Sequence, residues 1–245
     1  MERRPIVLSG GGARGAAHIG VLHALEEHGI LPEAISATSA GALVGALIAD
    51  GRSASEVSGL LHQEMRSIRL LRRPVPASKR IAAFMQRHLR HHRIEELPIP
   101  LHIAATDLEH GGQRIFSSGD LIPALLAASA IPVVFPAVAI DGVFHVDGGL
   151  SNNLPVEPFN DRKSEVIAVH VNPLPPFVPG RRSMIGTLDR VWHLNFREMV
   201  TRSAQGCHLL IEPPELSRFG LFDVRRMNEI ERVGYTYTHE LLARK

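Results

Sequence analysis

The stretch PIVLSGGGARGAAHIGVLHALEE, residues 5–27, joins an apolar strand, a glycine-rich loop and an apolar helix. The strand-like residues 5–8 end at Ser9, and the loop of residues 10–15 follows at once. Apolar side chains then recur at helical spacing, which predicts a helix over residues 16–27. Glycines between a strand and a helix allow a sharp turn and leave backbone N–H groups near the start of the helix, where an anion binds well. The stretch therefore predicts a strand–loop–helix unit with an anion-binding loop.

The rest of the chain continues this alternation of strands and helices. We predict further strands at residues 34–37, 101–108, 114–117, 138–140, 143–146, 166–171 and 208–211, and further helices at 40–49, 121–128, 187–204 and 224–243. The unbroken apolar run 166–171 is typical of a strand that is buried on both faces. The order of elements predicts a layered α/β fold with a mostly parallel central sheet. With 245 residues and no long linker, we expect a single domain over residues 1–245.

Composition narrows the class of protein. The chain is 44% hydrophobic and 21% charged, with a net charge of +2, which is typical of a soluble globular protein and gives no reason to expect nucleic-acid binding. The single cysteine, Cys207, suits a reducing compartment, and no apolar stretch approaches the roughly 20 residues that span a bilayer. We therefore expect a cytoplasmic protein. Metal-binding motifs such as Cys-x-x-Cys are absent from the sequence, so we expect no metal site.

The glycine loop has more than one interpretation. Gly10, Gly12 and Gly15 match the pattern G-x-G-x-x-G, which also occurs in dinucleotide-binding loops. A dinucleotide site normally has an acidic residue at the end of the second strand, about 20 residues onward. Here that strand ends at residues 37–39, and Glu33 lies before it. An oxyanion site, a dinucleotide site and simple close packing of strand and helix all remain open at this point.

A second motif places a serine between a strand and a helix. Residues 37–41 read ATSAG, which resembles the nucleophile elbow G-x-S-x-G with Ala37 in place of the first glycine. Gly41 keeps the second glycine, and the flanking residues are small. Ser39 is therefore a candidate nucleophile. A serine that only caps the helix over residues 40–49 fits the same pattern.

A third motif places a carboxylate at a turn. Asp147 follows the apolar strand 143–146 and precedes Gly148 and Gly149, and the polar segment 150–155 comes next. A plain loop corner has the same signature, but a polar loop after a strand is also where catalytic residues often lie.

The order of residues favours two catalytic groups over three. A Ser–Asp–His triad needs a histidine in a loop after the acid. None of the histidines that follow Asp147 lies in an obvious loop after the acid. They are His170, His193, His208 and His239. The alternative is a dyad in which Asp147 takes the proton from Ser39. Since a free Asp has a pKa of about 3.9, this base would need to be desolvated.

Four segments, taken together, resemble the patatin-like phospholipases, which are Ser–Asp lipid acyl hydrolases. They are GGGARGAAHIGVLHALEE, ATSAGAL, AASAIPVVFPAV and DGGLSNNLPV, all within residues 5–175. The resemblance implies a three-layer α/β fold, Ser39 as nucleophile and Asp147 as base, without a cofactor. It implies an oxyanion hole of backbone N–H groups and a set of supporting residues: Gly10, Gly11 and Gly12 for the hole, and Arg14, Gly15, Gly41, Gly148 and Gly149 in support. Ala37 is a departure from the family pattern, and residues after 175 match it only loosely.

A basic segment follows the serine helix. Residues 65–94 contain no acidic residue and nine cations: Arg66, Arg69, Arg72, Arg73, Lys79, Arg80, Arg87, Arg90 and Arg93. Apolar residues recur within it at helical spacing and predict an amphipathic helix: Ile81, Phe84, Met85 and Leu89. The segment could cover the site or face an anionic membrane. It could equally be a solvated surface whose apolar stripe packs on the core.

These observations predict a serine hydrolase that cleaves fatty-acyl esters of phospholipids or lysophospholipids. Two other classes stay open: a dinucleotide-binding protein that uses residues 10–15, and a catalytically silent membrane-binding regulatory module. The missing acid after the second strand disfavours the dinucleotide, and the presence of both Ser39 and Asp147 disfavours the silent module. The sequence leaves the oligomeric state open.

Overall fold

The computed structural model describes residues 1–70, 76–174, 176 and 184–244. Within them the strands are β1 (Glu2–Leu8), β2 (Ile30–Thr38), β3 (Leu101–Asp107), β4 (Gln113–Phe116), β5 (Val138–Ile140), β6 (Val143–Asp147), β7 (Ile167–Val169) and β8 (Leu209–Ile211). The helices are α1 (Ala16–Glu27), α2 (Ser39–Ala49), α3 (Ala54–Leu70), α4 (Ala77–His88), α5 (Leu121–Ala128), α6 (Met184–Ala204) and α7 (Met227–Ala243). A short 3₁₀ turn, Gly12–Gly15, joins the glycine loop to α1.

The strands form one sheet in the order β5-β6-β3-β2-β1-β7-β8, with β4 paired to β3. The five strands from β3 to β8 in this order are parallel, whereas β4, β5 and β6 join by antiparallel pairing. The predicted α/β fold with a mostly parallel sheet is therefore confirmed. The hairpin between β5 and β6 turns at Asp141 and Gly142, both of which have positive φ, as a tight two-residue turn requires.

Side chains of β1 show that the sheet is covered on both faces. Ile6 and Leu8 belong to a large core with residues of α1, α2, α5 and α7, whereas Val7 belongs to a second core that includes Val200 of α6. Because side chains alternate along a strand, these two sets point to opposite faces. Helices thus lie on both sides of the sheet, and the predicted three layers are confirmed.

The sheet brings the ends of β2 and β6 together on β3. Residues 103–106 of β3 pair with β4, while 101–104 pair with β2 and 105–107 pair with β6. Because β4 overlaps both of the other partners, β2 and β6 must share the opposite edge of β3. Thr38 pairs with Ala104, and Asp147 pairs with the next residue, Ala105. The chain leaves the sheet at Ser39 just where Asp147 arrives.

The sequence did not reveal α3. Its start is a capping box: the Ser53 N–H donates to Glu56 Oε2 at 2.8 Å, and the Glu56 N–H donates to Ser53 Oγ at 3.2 Å. The S-x-x-E spacing was the signal that would have found it. The amphipathic helix predicted in the basic segment is present as α4. Arg72 and Arg73 lie outside the described residues, as do the side chains of Arg66 and Arg69.

In the part of the chain that the structure describes, no helix combines the length and the apolarity that a membrane crossing needs.

Candidate active site

Ser39 stands at a strained turn between β2 and α2. Thr38 is extended, with φ −136° and ψ 157°, and Ser39 then adopts φ +50°, in the left-handed region that non-glycine residues rarely occupy. Two residues on, a Cβ added at Gly41 would lie 2.5 Å from the Ser9 carbonyl oxygen and 2.7 Å from that of Leu8. Only glycine lets α2 start this close to β1. The turn therefore has the geometry expected of a nucleophile elbow.

Ala37 replaces the first glycine of that elbow without crowding it. The residue is fully buried in the sheet, and its methyl group faces α2 where that helix carries Gly45. A Cβ added at Gly45 would lie 3.6 Å from the Ala37 Cβ and 3.1 Å from Ile35 Cγ2. The space that a glycine would leave on β2 is thus provided on the helix instead.

The Ser39 hydroxyl and the Asp147 carboxylate are in direct contact. Ser39 Oγ donates to Asp147 Oδ2 at 2.6 Å, and the Gly149 N–H donates to Asp147 Oδ1 at 2.9 Å. Both side chains are buried, with exposed fractions of 4% for Ser39 and 8% for Asp147. The Asp147 N–H donates to the Ala130 carbonyl at 3.0 Å, which fixes the end of β6. The carboxylate is therefore held in one orientation against the hydroxyl.

Burial raises the pKa of Asp147 to about 6, well above its usual value of 3.8. The hydrogen bonds from Ser39 and Gly149 oppose this effect and lower the pKa, but they are smaller than the cost of desolvation. A carboxylate with a pKa near 6 is a much better proton acceptor than one in water and is still ionised at neutral pH.

Two of the later histidines pair with other residues, and the side chain of His193 lies outside the described residues. His170 Nδ1 pairs with Glu212 Oε1 at 2.7 Å, and His239 Nδ1 meets His28 Nε2 at 3.3 Å. Among the described residues, the only hydrogen-bond partners of the Asp147 carboxylate oxygens are Ser39 and Gly149. Within the described residues, the side chains of Ser39 and Asp147 thus form a pair without a third catalytic side chain bonded to the carboxylate.

The glycine loop lies directly against Ser39. A Cβ added at Gly10 would lie 3.1 Å from the Ser39 Cβ, and one added at Gly15 would lie 2.5 Å from the Ala40 Cβ. Gly12 has φ +54°, and its position beside the Leu221 carbonyl leaves no room for a side chain. Within the part of the chain that the structure describes, the N–H groups of Gly10, Gly11 and Gly12 donate no hydrogen bond. The loop thus presents available donors beside the serine.

The two glycines after Asp147 are also required by close contacts. A Cβ added at Gly148 would lie 2.2 Å from the Ala104 carbonyl oxygen, and one added at Gly149 would lie 2.9 Å from Asn153 Oδ1. Asn152 accepts from the Leu154 N–H at 3.0 Å and closes the same loop. The turn is compact because it packs onto the end of β3.

Arg14 is buried and supports the loop from behind. Its Nε donates to the Phe219 carbonyl at 2.8 Å, and a guanidinium N–H donates to Asn172 Oδ1 at 3.1 Å. The Ala13 N–H donates to the Leu221 carbonyl at 2.8 Å. Sequence reasoning missed Asn172 and the segment around residues 219–222, because both contact the loop only through the tertiary structure.

A cavity of about 340 Å³ opens from Ser39. Its walls are almost wholly apolar and come from α1, α2, α3, α4 and the segments 129–135 and 221–227, including Leu43, Leu47, Val57, Leu61, Ile81, Phe84, Met85, Ile131, Phe135 and Met227. The apolar side chains predicted in the basic segment therefore face this cavity and the core, where Met85 and Leu89 are buried. The volume is that of a small-ligand pocket, and the lining suits a hydrocarbon chain.

Comparison with known proteins shows the family of this chain. A sequence model described as patatin-like phospholipase matches residues 6–160. The Lysophospholipase NTE1 of Kluyveromyces lactis is 29% identical over 97% of this chain, which spans 19% of that protein. An uncharacterized NTE family protein of Mycobacterium bovis is 36% identical over 69% of this chain and 49% of that protein. The chain thus spans less than half the length of these relatives.

A solved structure has the same fold. VipD from Legionella pneumophila superposes with a TM-score of 0.59 over 100% of this chain and 67% of its own, at 15% sequence identity. At that identity the likeness concerns the fold alone. The family match covers more than half of the chain and includes the serine turn, the glycine loop and the aspartate turn, and the chain accordingly belongs to the patatin-like phospholipase family.

Proposed function

We propose that this protein is a lipid ester hydrolase that uses Ser39 as its nucleophile and Asp147 as its general base. The observation that supports this most directly is the 2.6 Å hydrogen bond from Ser39 Oγ to Asp147 Oδ2, at the end of an apolar cavity. A nucleophile, a base with a raised pKa and adjacent N–H donors are the parts that acyl transfer needs.

The reaction would proceed in two halves. In the first, Ser39 Oγ attacks the ester carbonyl carbon while its proton passes to Asp147 Oδ2, and the carbonyl oxygen becomes an oxyanion. The N–H groups of Gly10, Gly11 and Gly12 would stabilise this charge. When the C–O bond to the alcohol breaks, the leaving oxygen takes the proton from Asp147. In the second half, water gives a proton to Asp147 and attacks the acyl group. Release of the fatty acid returns that proton to Ser39.

The cavity indicates the class of substrate. Apolar walls favour a fatty-acyl chain over a dinucleotide, because apolar side chains far outnumber the polar ones that line the cavity besides Ser39, which are Glu64, Arg80 and Ser129. The name of the Kluyveromyces relative adds lysophospholipids to the candidates. We therefore propose esters with one long acyl chain in the cavity, from phospholipids or lysophospholipids.

Labelling with a fluorophosphonate tests the proposal. The reagent phosphonylates activated serines, and we expect one labelled peptide that contains Ser39, together with hydrolysis of p-nitrophenyl esters. Prior treatment with a long-chain substrate analogue should protect the serine. An unlabelled protein that also fails to cleave any ester would favour the silent-module alternative.

The pKa of Asp147 predicts how activity depends on pH. The base must be ionised, so kcat/KM on a neutral soluble ester should rise with pH to a plateau, with a midpoint near pH 6. A steady-state pH profile between about pH 4.5 and 8 measures it.

The temperature dependence of that midpoint serves as the control. The enthalpy of ionisation of a carboxylic acid is close to zero, so the midpoint of the pH profile should hardly change with temperature. An imidazole has a large enthalpy of ionisation, and its midpoint would shift clearly. A flat profile, or a midpoint that shifts as an imidazole does, contradicts the assignment of Asp147 as the base.

We further propose peripheral contact with lipid surfaces, made by an apolar rim at the mouth of the cavity. The rim consists of Val133, Val134, Phe222 and Val224, all of which are exposed. Three of these residues also line the cavity, and Val133 stands next to it at a loop tip with φ +70°. Exposed cations of the basic segment, such as Lys79, would add attraction to anionic lipids, although Arg87 already pairs with Glu64 at 3.3 Å.

Replacing Val133 with aspartate should separate lipid binding from chemistry. Aspartate tolerates a left-handed backbone better than valine, so the fold should not suffer. Loss of an apolar side chain that would enter the lipid, together with gain of a negative charge, should weaken binding to phosphatidylglycerol-containing vesicles roughly tenfold or more. Co-sedimentation measures binding, and kcat/KM on p-nitrophenyl butyrate should stay near the wild-type value.

Leu108→Asp is the matched control, because Leu108 is also an exposed apolar residue but does not line the cavity. It should leave both measurements unchanged.

Raising the salt concentration should weaken the part of vesicle binding that comes from the basic segment, because salt screens charges beyond a Debye length of about 10 Å at 0.1 M. The part that comes from the apolar rim should persist. Equal vesicle binding by wild type and Val133→Asp would contradict the rim.

A further inference from the structure

The direction of an oxyanion-hole N–H depends on the carbonyl of the same peptide group. A peptide bond is planar and trans, so its C=O and its N–H point in opposite directions. The N–H groups of Gly10, Gly11 and Gly12 are therefore oriented by the carbonyls of Ser9, Gly10 and Gly11. What holds those carbonyls decides where the three donors point.

Each of the three carbonyls has a hydrogen-bond partner. His18 Nε2 lies 2.8 Å from the Ser9 carbonyl oxygen, and the Gly11 carbonyl accepts from the Arg14 N–H at 3.0 Å. The Gly10 carbonyl accepts from Asn172 Nδ2 at 2.6 Å and from Ser9 Oγ at 2.9 Å. The contacts from the Arg14 N–H and from Ser9 Oγ lie within the turn itself, whereas His18 comes from α1 and Asn172 follows β7.

We propose that His18 and Asn172 are positioning residues for the oxyanion hole, each fixing one peptide of the glycine loop through its carbonyl. This inference rests on the proposed hydrolase function and assigns new roles within it. His18 orients the N–H of Gly10, and Asn172 orients the N–H of Gly11. Neither side chain contacts the reacting atoms.

Both side chains are held firmly enough for this role. His18 is fully buried, and burial lowers its pKa to about 4, so the ring is neutral near pH 7. Because a carbonyl only accepts hydrogen bonds, the single ring proton lies on Nε2. Asn172 is buried as well, and its Oδ1 accepts from Arg14 at 3.1 Å, which fixes the amide with its NH₂ group toward Gly10. Arg14 is itself held by the Phe219 carbonyl.

The composition of the loop explains why such anchors are needed. The peptide between Gly10 and Gly11 has glycine on both sides, and glycine populates positive and negative φ about equally. Without Asn172, the Gly10 carbonyl would keep only the bond from Ser9 Oγ, a neighbour in sequence that moves with the loop, and the peptide could rotate and turn its N–H away from Ser39. An oxyanion hole works because its donors are already aimed when charge develops.

Two substitutions test the proposal, one with an isosteric side chain and one that keeps an aromatic ring. Asn172→Asp keeps the oxygen that faces Arg14 but replaces the donor to Gly10 with an acceptor. His18→Phe removes the donor to Ser9 and keeps a buried ring. Ser36→Ala is the matched control, since it removes an equally buried hydrogen bond, from Ser36 Oγ to the Pro155 carbonyl at 2.6 Å, without touching the glycine loop. Thermal melts report the stability of all three.

Ligand binding separates positioning from a merely structural role. A long-chain trifluoromethyl ketone adds to Ser39 and places an oxyanion in the hole, whereas a long-chain alcohol only fills the cavity. For Asn172→Asp and His18→Phe we expect kcat and the ketone affinity to fall roughly 10- to 100-fold, part of the 10²- to 10³-fold loss seen when a donor itself is removed. The alcohol affinity and KM should stay within about twofold. Ser36→Ala should change neither ligand.

Three outcomes would overturn the proposal. Unchanged ketone affinity in both variants would show that the carbonyl contacts do not matter for the hole. Equal losses for ketone and alcohol would show that the cavity, not the hole, had deformed. In the third outcome, the wild-type protein neither cleaves esters nor binds the ketone more tightly than the alcohol, and the proposed hydrolase function fails together with this inference. That failure is distinguishable from the first two outcomes, because both of them require an active wild-type protein.

Discussion

Replacing Ser39 with alanine is expected to lower kcat on a soluble ester by roughly 10⁴- to 10⁶-fold, because the proposed nucleophile is lost while the proposed oxyanion donors and the cavity remain. The side chain forms one hydrogen bond, to Asp147, and its removal leaves the backbone turn in place. Fluorophosphonate labelling should disappear in parallel. Steady-state kinetics with a purified variant, free of contaminating esterases, measures the residual rate.

Ser39→Gly is the control for that result. The backbone of residue 39 has φ +50°, a conformation that glycine adopts without strain. This variant should be as inactive as Ser39→Ala and at least as stable as the wild type in thermal melts. A variant that lacks the hydroxyl but keeps substantial activity would show that another residue is the nucleophile.

Asp147→Asn is expected to lower kcat by roughly 10³- to 10⁵-fold, since a neutral amide cannot take the proton from Ser39. The side chain keeps its shape and an oxygen for the Gly149 N–H, so the turn should survive. In combination with Ser39→Ala the losses should not add, because both residues take part in the same proposed proton transfer. A double mutant that is inactive to the same extent as either single one is the expected result.

The same substitution should stabilise the fold above pH 6. Folding raises the pKa of Asp147 from its usual 3.8 to about 6, so the folded state binds more protons than the unfolded state between these values. The stability from the protonated form is complete below pH 3.8 and is lost as pH rises through about 6. Asparagine stays neutral, so Asp147→Asn should be more stable than wild type at pH 8 by about 1–3 kcal/mol and should show little difference at pH 4. Denaturant melts at the two pH values measure this.

The site around Ser39 and Asp147 lowers the stability of the folded state. A left-handed serine costs of order 1–3 kcal/mol, and a buried carboxylate is unfavourable when it is ionised. The surrounding core compensates, because the turn at Ser39 is fixed by Gly41 against β1 and the carboxylate is fixed by β6 on β3. Substitutions that remove function should therefore often gain stability.

The sequence by itself determined the fold class and the candidate dyad. The apolar runs of β1 and β7, the helical spacing of α1 and the small residues around Ser39 are local patterns, and each is caused by a local steric or burial requirement. Close contacts explain why the motifs need glycine: Gly41 and Gly148 meet backbone carbonyls at distances that no side chain could occupy. Such requirements leave a signature in a single stretch of chain.

Only the tertiary structure decided how these pieces work together. The sequence contained Asp147 and Ser39 but not the shared edge of β3 that brings them within 2.6 Å, because strand order depends on packing between distant segments. It contained His18 and Asn172 but not their contacts with the loop carbonyls, and a buried polar side chain at one position gives no sign of the carbonyl it will meet. The pKa of Asp147 is likewise a property of its burial. Local patterns thus specified the elements and the reactive groups, whereas long-range contacts specified their distances, orientations and acidity.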